Sequence, residues 1–462
     1  MSTLKPKFLE GDLMRHVVVM STTASAGLVA MFLVDFLDLY FISLLGQKEL
    51  AAAVGFAGAI TYLTMSSTIG LMIAMSALAA QRIGRGEPEQ ARRIATNVVV
   101  ISISIASIMA AIIWVFAPGF VEALGASGET KTYAVRYLRI VVPSLPIVAC
   151  GMVCTGLLRA HGDAKRAMNA TLAAGAVNAI FDPLLIFGFG LGLDGAAYAS
   201  VLARFAMLFS ALLPVLRHYG GFAPFSSDRF RQDLSPIFRI AAPAVLTNIA
   251  TPVGAIIVTR AISTYGDGAV AGFAVISRLT PLAFCVVFAL SGAVGPIIGQ
   301  NFGAARYDRV RETLSNGLQF TLLYTLLAWA VLFFANGFLA DRFGLDAGGS
   351  ALLFWYGLGV APLFFFNGAL FVANAAFNNL DRPFWSTMLN WGRNTIGIVP
   401  FVVIGAQIGG APGVIIGHAI GGVFFASLGV WLAYSLVRKY ADGQVSNHLN
   451  AGKTSLPTKG RR

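Results

Sequence analysis

Runs of about 18 or more apolar residues recur from one end of the chain to the other, each long enough to cross ~30 Å of hydrocarbon. Twelve can be separated, at about 17–45, 50–79, 94–117, 134–158, 167–189, 194–216, 237–264, 269–298, 313–338, 351–377, 384–405 and 411–436. Backbone inside lipid has to satisfy its own polar groups, so each run reads as a helix. Only 12% of the 462 residues are charged, against about 25% in a soluble domain. The pattern predicts an all-α polytopic membrane protein whose partner is the lipid bilayer.

A formal charge of +12 in a soluble chain points to nucleic acid. Here the basic residues gather instead in alternate connections: Arg82, Arg85, Arg92 and Arg93; Arg159, Lys165 and Arg166; Arg217, Arg229, Arg231 and Arg239; Arg306, Arg309 and Arg311; then Arg382. The intervening connections offer little beyond Lys48, Lys131 and Arg342. The positive-inside rule then places both termini in the cytoplasm, with no nucleic-acid partner. Cys150, Cys154 and Cys285 lie in apolar runs without metal-ligand spacing, which argues against disulfides and zinc. The first run is a full span after Lys5, Lys7 and Arg15 and is read as uncleaved.

The chain repeats itself at an offset near 216–220 residues. Gln81-Arg-Ile-Gly84 matches Gln300-Asn-Phe-Gly303, and Gly46, Leu50 and Ala51 match Gly266, Val270 and Ala271. Gly162-Asp163 matches Leu380-Asp381, and Asn178-Ala-Ile matches Asn394-Thr-Ile. Four matches in order indicate two pseudo-symmetric six-helix lobes around a central cleft, running parallel because each half has an even number of spans. The expected division is 1–216, a cytoplasmic linker 217–236, 237–440, and a disordered tail 441–462.

One span stands out chemically. Val177 to Gly190 has membrane-spanning character, yet Asn178, Asp182 and Pro183 interrupt it. A carboxylate at bilayer depth costs about 2.5–3.5 kcal/mol on insertion scales, so it is a functional candidate. Pro183 removes a backbone donor beside it and bends the helix. An acid, an amide and a kink together suggest an ion or substrate pathway.

These residues resemble a known family. Asp38-Leu-Tyr-Phe-Ile-Ser-Leu-Leu-Gly46 with Leu50-Ala-Ala is similar to the first-helix signature of multidrug and toxin extrusion (MATE) transporters. Pro296-Ile-Ile-Gly-Gln-Asn-Phe-Gly-Ala304 resembles their eighth-helix motif, and Asn178 to Pro183 their fifth-helix motif. The resemblance covers all twelve spans and points to the DNA-damage-inducible F-like bacterial branch. It implies a non-enzymatic inner-membrane antiporter, without cofactor, in which H+ or Na+ entry drives export of organic cations or amphipathic drugs. The implied ion-coupling residues are Asp38 and Asp182, with Asn178, Tyr137, Thr155 and Ser200 around them. Carboxylates that some branches place in the seventh and tenth helices are absent; those spans carry Thr247, Asn248, Asn367 and Asn374. The coupling ion is therefore expected in the first half, and protons are favoured. The first helix also lacks a proline, with Thr23 where its repeat partner has Pro243, so its bending is in doubt although Gly27 is a weak point.

Asp35 lies three residues before Asp38 on roughly one helical face. It is either a further acid of the cluster or the partner of a basic side chain near the outer end. Arg204, Arg260, Arg278 and Arg393 fall inside or near spans, the middle two placed to snorkel. Asn248, Asn374, Arg393 and Phe366 are candidates for a substrate cleft, where aromatic faces attract organic cations. The position matched to Asp182 is Ile398, so the halves differ in charge. No Walker motif, nucleophile–base set or metal site is present. The expected molecule is a monomeric antiporter; the alternative is a lipid-linked saccharide flippase of the same superfamily, which would need a more cationic cavity, and a non-transporting scaffold leaves the deep acids unexplained.

Overall fold

The computed structural model describes residues 6–454, and side chains through 443. Among these, every regular element is helical. The first three spans are single helices: α1 (Leu13–Ser43), α2 (Lys48–Gly84) and α3 (Pro88–Ala123). The fourth bends between α4 (Gly128–Val141) and α5 (Leu145–Ala160), where Pro143 and Pro146 withdraw two backbone donors. The fifth is α6 (Ala164–Pro183), which passes at Pro183 into a π turn over Leu184–Gly188. The lobe closes with α7 (Leu193–His218).

The second lobe begins with α8 (Ser227–Ser263). Its next span is broken into α9 (Asp267–Ala283) and α10 (Cys285–Gly303) at Phe284. α11 (Tyr307–Arg342) follows. α12 (Ala347–Trp355) and α13 (Phe364–Asn379) form one span bent by 55° at Pro362. α14 (Pro383–Asn394) breaks before Pro400, and α15 (Val399–Thr454) follows. Within α15, Gly409 (φ −133°) and Gly410 (φ +60°) are not helical, so this element is two helices joined at a turn. The 61 residues from Pro383 to Gly443 are thus two spans, and the described residues make twelve.

The structure refines the expected division. α7 runs to His218 and α8 starts at Ser227, so the coil between the lobes is only 219–226. It is fastened to the first lobe, with Arg92 donating to Phe222 O and Thr96 to Ala223 O. Helix continues past Tyr440 to Thr454; the rest of the expected tail, 455–462, lies outside the described residues.

Each lobe lends half of its first helix to the other. Leu13, Val17 and Met20 of α1 pack among second-lobe residues such as Leu290, Ile297 and Leu314. Ile237, Ile240 and Ala241 of α8 pack among Leu71, Leu78 and Ile94 of the first. These halves lie at the side of the molecule that carries the chain ends. The lobes are therefore joined at that side, while the far halves of α1 and α8 expose Phe36, Tyr40 and Ile256.

The seam has a pseudo-twofold. Gln81 Nε2 donates to Asn379 O at 2.9 Å, and Gln300 Nε2 to Ala160 O at 2.7 Å. α2 and α10 cross at two glycines: a Cβ on Gly84 would stand 2.0 Å from Gln300 O, and one on Gly303 2.1 Å from Gln81 O. Any side chain would force the helices apart.

This geometry corrects two of the repeat matches. Gly86 and Ala305 share the left-handed backbone region, as do Gly162 and Asp381. The register through the turns is then 219, which pairs Gly162 with Asp381, not with Leu380. Carried into the following helix, it pairs Asn394 with Gly175. Packing agrees, because Gly175 abuts Val34 and Asn394 abuts Gly254. Asn178 and Asp182 are therefore opposite Gly397 and Phe401 in the repeat, and Ile398 is not the counterpart of the acid.

Candidate functional site

Polar side chains on three spans of the first lobe converge. α1 carries Asp38, and α6 carries Asn178 and Asp182 one turn apart on one face. Asp182 is fully buried and Asn178 nearly so. With its amide nitrogen facing the acids, as their acceptor chemistry demands, Asn178 donates to Asp38 Oδ1 at 2.6 Å and to Asp182 Oδ2 at 3.2 Å. The two carboxyls are themselves within hydrogen-bond reach of each other. Asp182 Oδ1 is buried with no partner. An unpartnered buried acceptor beside a second acid is a place for a proton or a cation.

Tyr137, brought by α4, stands against Ser200 of α7 with Asp38, Asp182 and Arg204 around it. Arg204 does not join the acids. It donates to Val141 O at 2.8 Å and Ser144 Oγ at 2.7 Å, closing carbonyl and hydroxyl groups freed by the proline bend. Thr155 is not brought to the cluster: its hydroxyl donates to Met152 O at 2.7 Å and faces Met72 Sδ. Asp35 is exposed on α1 and forms no ion pair among the described residues. Of its two expected roles, pairing with a basic side chain is not seen.

In the second lobe Asn374 is buried and its Oδ1 accepts from Asn390 Nδ2 at 3.1 Å. Asn248 is spent on Ala244 O within its own helix. Phe366 packs at the edge of the apolar core. Arg393 lies beside Gly422 and His418. Sequence reasoning passed over His418, although a histidine inside an apolar run was the available signal. Arg159, expected in a connection, lies instead in the last turn of α5 and reaches across the seam to Gly292.

The MatE family profile matches the chain twice, at residues 24–184 and 243–404, so the repeat and the helix count have one origin. The chain belongs to the MATE family. A relative from Shewanella oneidensis named as an FAD transporter is 30% identical over 410 residues, covering 87% of this chain and 90% of its own. The multidrug export protein MepA of Staphylococcus haemolyticus is 25% identical over 66% of this chain and 68% of its own. A solved structure, described as the outward-facing conformation of a multidrug resistance MATE family transporter, superposes with a TM-score of 0.88 at 23% identity. It covers 95% of this chain and 98% of that one. Members of this MATE family are multi-pass membrane transporters, not enzymes, and its multidrug exporters act on small organic molecules.

Proposed function

We propose that this MATE protein is a proton-coupled antiporter that exports cationic or amphipathic organic molecules across the bacterial inner membrane by alternating access. It acts as a monomer with both termini in the cytoplasm. One observation carries the reading: a half-buried carboxyl, Asp38, and a fully buried one, Asp182, face each other with Asn178 bridging them. A carboxylate only accepts hydrogen bonds, so a direct bond between two such groups requires a proton on one. Losing that proton leaves two like charges in a small space, which an organic cation relieves.

The cycle follows. From the open far side, protons enter the acid pair and displace the exported molecule. The neutral pair then permits the lobes to reseal on the far side and open at the terminus side. There the protons leave and the next molecule enters. Export by the relatives named for multidrug transport supports this reading. The expected outcome in vesicles under an imposed pH gradient is that Asp38→Asn and Asp182→Asn abolish ethidium efflux while remaining folded. Normal efflux by either variant refutes the assignment, and efflux driven equally by a sodium gradient refutes the choice of ion.

A second reading has two supports. The relative named as an FAD transporter covers nearly the whole chain, and the second lobe holds Arg393 without an acidic partner. On that reading the exported molecule is a flavin dinucleotide rather than a cation. Efflux of FAD but not ethidium would decide for it.

A further inference from the structure

The interior of the second lobe carries a charge opposite to that of the first. Arg393 lies in the last turn of α14, within the span, and is half-buried. Its guanidinium makes no hydrogen bond or ion pair among the described residues, and no carboxylate is near enough to interact with it. Gly422 faces it, where a Cβ would stand 3.2 Å from Arg393 Nε. The glycine leaves the guanidinium room. His418, one turn earlier on the same helix, is beside it and likewise half-buried, with Arg393 as its charged neighbour.

The acids of this lobe stand elsewhere. Asp267, Asp308, Glu312, Asp341, Asp346 and Asp381 all lie at helix ends or in connections. Nearby amides are already engaged: Asn390 donates to Asn374 Oδ1 and Ser386 O, and Asn394 to Asn390 O. The guanidinium, with the imidazole of His418 beside it, is thus left without a hydrogen-bond partner among the described residues. A cation held at membrane depth without a counter-charge is costly and marks a site. A planar fork of donors matches the oxygens of a phosphate.

We propose that Arg393, with His418 beside it, binds a phosphate group: that of a phosphorylated exported molecule, or that of an anionic lipid headgroup. The proposal rests on the reading of the chain as an exporter and adds a ligand class for the lobe that the acid pair leaves unused. Phosphate held in one lobe and a positive or neutral portion in the other would let a single amphipathic molecule span the cleft.

The test is binding to purified full-length protein in phosphatidylcholine nanodiscs, with FAD and riboflavin as probes. Both carry the flavin, and only FAD carries phosphate. Wild type should bind FAD more tightly than riboflavin by about tenfold, the scale of one charge-assisted hydrogen-bond set. Arg393→Ala should erase that ratio, and Arg393→Lys should restore part of it, which a folding defect would not do. A second arm adds phosphatidylglycerol and reads retained lipid by native mass spectrometry. Retention by wild type and loss in Arg393→Ala identify the headgroup as the source. The proposal is overturned if wild type prefers neither FAD nor phosphatidylglycerol, or if Arg393→Ala keeps the preference. Failure of the acid-pair reading shows separately, as ethidium efflux that survives Asp182→Asn.

Discussion

At the scale of single residues, Asn178 is the side chain that ties the two acids of the first lobe together. Its two donor hydrogens go to two different acids on two different helices. An aspartate there would crowd three carboxyls together, and a leucine would leave both acids without a neutral donor. Asn178→Leu should therefore lower export at least tenfold, with the folded yield little changed; an efflux assay with quantified membrane protein checks this. Such residues were legible because any amide or acid at bilayer depth is conspicuous. Thr155 was misleading for the converse reason: a hydroxyl in a helix satisfies itself on a carbonyl one turn back, as this one does on Met152. His161, just past α5, makes a different point. Burial pushes its imidazole down to about 4, with Asp163 working the other way, and it stacks on Tyr219 at 4.3 Å. Burial also disfavours the charged form of Asp163, but hydrogen bonds from Tyr219 and Arg166 outweigh it and leave the carboxyl below its usual range. A histidine that stays neutral when folded stabilises above about pH 6.5, its unfolded value, and that contribution is lost as pH falls toward 4. Thermal stability should drop between pH 7 and 5 in wild type, and less steeply in His161→Gln. Parallel slopes in melting scans would contradict this.

At the scale of elements, the twelve spans could be read from hydropathy because each backbone segment in lipid must close its own hydrogen bonds. The breaks were less accessible. Pro183 and Pro362 announce theirs and Pro281 stands one turn before the break at Phe284, yet the turn at Gly409–Gly410 is hidden in a glycine-rich run. The repeat was found by motif, but the register within span eleven slipped by a turn, because asparagines look alike while left-handed turns are visible only in three dimensions. The glutamines show what the repeat is for. Gln81 and Gln300 sit in the same register and each crosses to the opposite lobe, capping a carbonyl at a helix end. Replacing both by alanine leaves two buried carbonyls unpaired at the seam, at about 1–3 kcal/mol for each group. Gln81→Ala with Gln300→Ala should shift the protein toward the state open at the terminus side. Cysteine labelling of seam positions from that side should rise in the double variant, and unchanged labelling would show that the glutamines do not hold the seam.

At the scale of the whole molecule, the lobes are joined at the side that carries the chain ends, and one of the joining helices, α1, also carries an acid of the site. α1 packs its first half into the second lobe through Leu13, Val17 and Met20, and presents Asp38 from its other half. It runs unbroken from Leu13 to Ser43, so a bend at Gly27 is not needed in this state. A rigid helix with a proton site at one end and an inter-lobe seam at the other transmits a change at Asp38 as tilt. If export requires the seam to open, a covalent tie across it must stop transport. Ala80 and Gly299 offer such a tie, since a Cβ on Gly299 would lie 2.8 Å from that of Ala80. A disulfide prefers about 3.5–4.5 Å between these atoms, so the helices ease apart by about 1 Å and the Asn379 side chain, whose Oδ1 would stand 2.5 Å from the new Cβ, turns aside. With Cys150, Cys154 and Cys285 replaced, the pair Ala80→Cys and Gly299→Cys should export when reduced and stop when oxidised. Proton binding at the far side does not need the seam to open, so the oxidised protein should still take up protons from a pH jump. Export persisting after complete cross-linking would mean that the lobes do not separate at this side, and that molecules cross by another route.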